Sequence, residues 1–221
     1  MQMGWIVHFL NARGAFSLTE AGLRAAIEDA RILLEARSTP TALDVIVKAS
    51  THAARYPFSV GGACYEPGCI ELTVDFSRNP APDAVREEVL RTLCHEYHHA
   101  IRWDGPGYGD TLGEALVSEG LAQVFVHEVI QCLPEPWEIM PPDLDVRKTC
   151  KRAYDGFDDP DYAHDEWFFG SGSLPNWTGY ALGKALVARH LQTVCRKTAL
   201  DMALEPASIF RETMRVLAED R

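Results

Sequence analysis

The stretch "TLCHEYHHAIRW", residues 92 to 103, constrains the fold more than any other part of the chain. It closes the run "NPAPDAVREEVLRTLCHEYHHAIRW", which opens with prolines suited to a helix start and keeps a helical pattern to about Trp103. Successive helical residues are about 100° apart, so His95 and His99 stand one turn apart on one face. Leu90, Leu93, Tyr97, Ala100 and Ile101 form an apolar stripe on the other side. Such a helix packs by its stripe and turns His95, Glu96 and His99 inward or into a cleft. Both imidazoles then reach one ion, and Glu96 lies beside them without being a ligand. Zinc suits such ligands and lowers the pKa of a bound water to ~7. His98 points about 100° away from His99 and is expected in a supporting or surface role. Cys94 is expected to be a packed thiol.

Two histidines are too few for a stable zinc site, so a third protein ligand is expected. A third histidine in the pattern H-E-x-x-H-x-x-G-x-x-H is excluded, because the residues after His99 are "AIRWDGPGYGD". The next helical segment, "TLGEALVSEGLAQVFVHEVI", offers Glu114, Glu119 and Glu128. Glu119 projects among Leu112, Ala115, Ala122, Val126 and Ile130, where a carboxylate is costly unless paired or metal-bound. A buried salt bridge is the alternative there. Glu114 is accounted for by a capping box with Thr111, and Glu128 projects from the far side.

These residues resemble the gluzincins, metallopeptidases whose third zinc ligand is a glutamate on the helix following H-E-x-x-H. Thermolysin-like members place it 20 positions after the second histidine, and here 119 − 99 = 20. "HEYHHAIRW" followed by "TLGEALVSEGLAQVF" looks still more like a bacterial domain-of-unknown-function family described as predicted zinc-dependent proteases. That likeness runs from "IELTVDF" through "NWTGYALGKALV". It implies a zincin-like α+β fold: a small N-terminal mixed sheet with an edge strand next to the H-E-x-x-H helix, then a mainly helical C-terminal half. It also implies that His95, His99 and Glu119 bind Zn2+ and that Glu96 is the general base. Thermolysin-like enzymes have an aspartate one turn after the glutamate ligand to orient a histidine; this chain has Gln123.

Hydrolysis of a peptide bond needs an oxyanion donor besides the metal. Tyr180, in the Gly-Tyr-x-x-Gly block of "NWTGYALGKALV", is the first candidate, with a packed core tyrosine as the plain alternative. His127 and His164 are lesser candidates and more often structural. The resemblance makes the strand Ile70 to Phe76 the edge that pairs with substrate. Gly61 and Gly62 would allow close approach of a chain or simply make a turn. Nothing singles out Glu66 or Glu71 as a grip for a free amino terminus, so an endopeptidase is preferred.

Elsewhere, Trp5 to Leu10, "ALDVIVKAS" and "CIELTVDF" read as strands, and Tyr56 to Gly68 as turn-rich. Helices are expected over 18–37, capped by Ser17 with Glu20, and over 143–155, 177–196 and 205–219. The segment from Phe157 to Trp177 reads as loop, with Trp137, Trp167, Phe168, Phe169 and Trp177 shaping a pocket. One domain over 1–221 is expected, with the sheet and active-site helix in 1–103 and the helical part in 104–221. A formal charge of −11 argues against a nucleic-acid partner, and no apolar run reaches the ~18 residues of a membrane span. The start "MQMGWIVHFLNARG" reads as a strand and not as an export leader; with six scattered cysteines, free thiols in the cytoplasm are expected. Peptides or proteins are the expected substrates. The competing readings are an inactive zincin-like domain that binds peptides or proteins, a zinc hydrolase of a non-peptide amide, and a helical binding module without metal.

Overall fold

Alternating apolar residues in four short segments build a single mixed sheet in the N-terminal part of the chain. The computed structural model describes residues 4–38, 42–50 and 58–219. These fall into two units divided between Trp103 and Asp104.

In the first unit β1 (Trp5–Phe9), α1 (Glu20–Glu35), β2 (Leu43–Ala49), β3 (Val60–Glu66), β4 (Cys69–Val74) and α2 (Pro82–Arg102) follow in order. The strand order is β1-β2-β4-β3, with β1 parallel to β2, β2 parallel to β4, and β3 antiparallel to β4. Leu43, Val45 and Val47 of β2 and Ile70, Leu72 and Val74 of β4 are buried on one face. Most alternate positions are polar, as with the Lys48–Glu71 ion pair across β2 and β4, Ile46 being an apolar exception. Helix α1 contributes Leu23, Ala26, Ile27, Ala30 and Leu34 to this core, and α2 contributes Val89, Leu93, Tyr97 and Ala100. Pro82 occupies the first turn of α2, where its missing N–H costs nothing.

Two expectations fail here. The stretch read as turn-rich contains β3, with Gly61 and Gly62 inside it (residues 56 and 57 lie outside the described residues). Glycine is depleted in strands, which hid this one. Consequently β3, like β1, is an edge strand; the segment from Ile70 is the interior strand β4, bonded on both sides. The Ser17–Glu20 capping box does not form either. Thr19 is the N-cap of α1 without a side-chain bond, Ser17 Oγ donates to the Gly14 carbonyl, and Glu20 accepts from Arg24 and Asn11.

The second unit holds α3 (Leu112–Val129), α4 (Val146–Asp155), α5 (His164–Phe169), α6 (Thr178–His190) and α7 (Arg211–Glu219). Thr111 and Glu114 form the expected capping box. Helix α3 is the centre of the unit and packs closely on α6. The contact is made by glycines: a Cβ on Gly120 would stand 2.2 Å from the Gly183 carbonyl oxygen, and one on Gly183 would stand 2.3 Å from that of Leu116. Helix α5 was not expected, being six residues within an aromatic segment. The expected helix over 177–196 is α6 continued by a wider π turn over Leu191–Cys195, and the last one starts as a 3₁₀ turn over Ala207–Phe210. All six cysteines are free, and no described helix is long and apolar enough to cross a membrane.

Candidate metal centre

Helix α2 presents its last three turns to buried surroundings. His99 and Glu96 are 6% and 7% exposed, while His98 is fully buried, which excludes the surface role considered for it. Cys94 is buried as expected. The Nε2 atoms of His95 and His99 lie 3.1 Å apart. Strand β3 runs along the same helix. Glu88 accepts from the backbone N–H groups of Ser59 and Val60 at 2.8 and 2.9 Å, and Trp103 Nε1 donates to the Cys64 carbonyl at 3.0 Å. Burial, helped by the negative charge of Glu96, pushes the Cys64 thiol up to about 12.

In the second unit Glu119 is 6% exposed on a helix buried nearly all round. Tyr108 donates to its Oε1 at 3.0 Å. Tyr162 and His164 share its electrostatic surroundings. Burial and then the charge of Glu119 push the Tyr162 hydroxyl up to about 12. Burial holds His164 below the usual imidazole range, against the opposing pull of Glu119. Tyr162 Oη and His164 Nδ1 are 2.9 Å apart, and His164 stacks on Phe168 at 4.6 Å. Phe168 in turn meets the Tyr180 ring edge-on at 5.0 Å.

His95, His99 and Glu119 each offer one ligand atom, and these atoms lie within 4.8 Å of one another, a group suited to hold a metal ion. Two nitrogens on a tetrahedral zinc, each about 2.0–2.1 Å from it, stand about 3.3 Å apart. The 3.1 Å between the imidazole nitrogens is close to that spacing. Two imidazoles and a carboxylate are also donors that zinc accepts, leaving a fourth position open. The sequence profile of a family described as "Predicted Zn-dependent protease" (DUF2268) matches residues 21–211. This chain belongs to that family. No curated protein and no solved structure matches it. The family description and the donor set together point to zinc.

The remaining candidates separate clearly within their units. Gln123 is fully buried; its Nε2 donates to the Tyr180 carbonyl at 3.3 Å, and its Oε1 has no hydrogen-bond partner among the described residues. Tyr180 is half-buried on α6. His127 Nε2 lies 2.6 Å from Glu138, which also holds Lys184 at 2.5 Å. Trp167 and Phe168 are buried in the core, while Trp137 and Trp177 meet at 6.2 Å. Tyr108 was missed. It lies in the breaker-rich loop before α3, where no periodicity marks one residue above another.

Proposed function

We propose that the chain is a zinc-dependent peptide hydrolase of the gluzincin type, with both units forming one metallopeptidase domain. His95, His99 and Glu119 hold the ion, and the observation that carries this reading is the approach of their ligand atoms to within 4.8 Å. An ion held there would supply Lewis-acid polarisation of the scissile carbonyl and a more acidic water. Glu96 takes the proton at a carboxylate oxygen, and its burial keeps that base out of bulk solvent. Tyr180 donates its phenolic hydrogen to the developing oxyanion. Tyr108 fixes Glu119, and the unpaired Oε1 of Gln123 is an acceptor able to orient an N–H donor.

Substrate is an extended peptide or protein segment, for which the edge strand β3 offers backbone pairing beside Glu96. An endopeptidase is preferred over an exopeptidase, since an edge strand pairs with the middle of an extended chain. Six free thiols suit a reducing compartment such as the cytoplasm.

The test is turnover of a generic fluorogenic peptide by the zinc-loaded parent and by Glu96→Gln. Loss of about 10³-fold or more with zinc retained supports the reading. Equal turnover, or none in the parent at full zinc occupancy, favours a binding domain.

A further inference from the structure

A side chain at Gly62 would run into side chains of α2. A Cβ built on it lies 2.6 Å from Glu96 Cγ, 2.9 Å from Glu96 Oε1 and 2.5 Å from Thr92 Cγ2. Carbon atoms pack at about 3.5–4.0 Å, so something has to shift. Its neighbour Gly61, on the same strand, would meet nothing within 4 Å. Neither glycine is among those with positive φ, so position 62 needs glycine for space and not for backbone conformation.

Strand and helix have little freedom to separate. Glu88 binds the backbone of Ser59 and Val60 on one side of Gly62, and Trp103 binds the Cys64 carbonyl on the other. Between these ties Gly62 is paired with Leu72 in the β3–β4 ladder. Thr92 and Glu96 are one turn apart on α2, so both face the bare backbone along one ridge. A methyl group at position 62 must therefore be accommodated by side-chain rotation, and Glu96 has the more flexible of the two side chains.

We propose that Gly62 is a positioning residue for the Glu96 carboxylate: the missing side chain leaves the volume in which that carboxylate stands. This rests on the reading of Glu96 as the general base. Gly61→Ala and Gly62→Ala make a useful pair: the same change in neighbouring strand positions, with a methyl group that meets nothing at 61 and α2 at 62.

The experiment compares both variants of the full chain. With zinc loaded, Gly62→Ala loses about 10- to 100-fold in kcat on the fluorogenic peptide. Its KM stays within about twofold and its zinc content is unchanged. Gly61→Ala matches the parent. In metal-free protein, Gly62→Ala lowers Tm by about 4 °C or more, and the same substitution made in a Glu96→Ala background lowers it by clearly less. Equal kcat for the two glycine variants, with Glu96→Gln inactive, overturns the proposal. So does a Tm loss of the same size in both backgrounds. Parent-level turnover by Glu96→Gln overturns the general-base reading and the catalytic half of this proposal with it. The melting comparison still decides the packing half.

Discussion

Helices α2 and α3 each carry a carboxylate less than a tenth exposed, Glu96 and Glu119, but they bury it by opposite means. On α2 the first turns keep Asp83, Arg86 and Glu87 exposed, and from Leu93 to Arg102 most residues are buried, with His95 and Ile101 half-buried. On α3 every residue from Ala115 to Gln123 is buried. A half-exposed helix can carry several polar groups on one ridge, because strand β3 and water share the cost of solvating them. A helix enclosed by other helices can carry a carboxylate only if that group finds donors. Glu119 has Tyr108. A buried carboxylate without such partners is unfavourable by several kcal/mol. Each helix therefore shows its candidate ligands in a different way: α2 by a motif, α3 by a single residue that its surroundings do not suit.

Several substitutions sharpen or break that contrast. The largest effect is expected on the enclosed helix. Gly120→Ala sets a methyl group against the Gly183 backbone, and chemical denaturation should show a loss of about 3 kcal/mol or more. On the exposed side of α2, Glu87→Ala should change stability by less than about 0.5 kcal/mol. If the two changes cost the same, α3 is not the enclosed helix described above.

Next in size is Tyr108→Phe. It removes the donor to Glu119 without changing shape, and competition with a chelator should show zinc affinity reduced about 10- to 30-fold. Unaltered affinity would mean that Tyr108 does not hold the carboxylate in place.

Glu166, on α5, gives a pH-dependent prediction away from the site. Two bonds from Arg152, at 2.6 and 3.2 Å, and then two from Ser173 hold its carboxyl at about 2, below its ordinary value of 4.5. A depressed folded-state pKa means that the unfolded chain binds the proton more readily. The stabilisation is thus complete above pH 4.5 and disappears as pH falls from there towards 2. With allowance for solvent screening, Glu166→Gln should cost about 1–2 kcal/mol at pH 7, and the difference from the parent should shrink across that window. A difference independent of pH would show that the cost is one of shape and not charge. Smaller again is Thr111→Ala, which removes the N-terminal cap of α3 and should cost about 1 kcal/mol in the same measurement, still above the Glu87→Ala control.

Much of this was legible in the sequence, for reasons particular to each residue. His95, Glu96 and His99 announce themselves because helical spacing converts a sequence interval into a shared face. Glu119 was legible as a carboxylate in an apolar stripe, and the 20-residue interval from His99 strengthened that reading. Strand β3 was not legible. Its two adjacent glycines carry the signature of a turn, and only the packing of α2 against Gly62 shows why a strand has one there. Tyr108 and α5 were missed for a related reason: their roles come from tertiary contacts in segments where no periodic pattern singles out a residue. The Ser17 cap was misread because Ser17 bonds back to Gly14 within a turn instead of forward into α1.

The central claim is that three side chains from two helices hold one zinc ion. The direct measurement is zinc stoichiometry and affinity, by elemental analysis and chelator competition, for the parent, His99→Ala and Glu119→Ala. The account predicts one tightly held zinc per parent chain and an affinity lower by about 100-fold or more in each variant. A parent chain that takes up no zinc, or a Glu119→Ala variant that binds it as tightly as the parent, would contradict it.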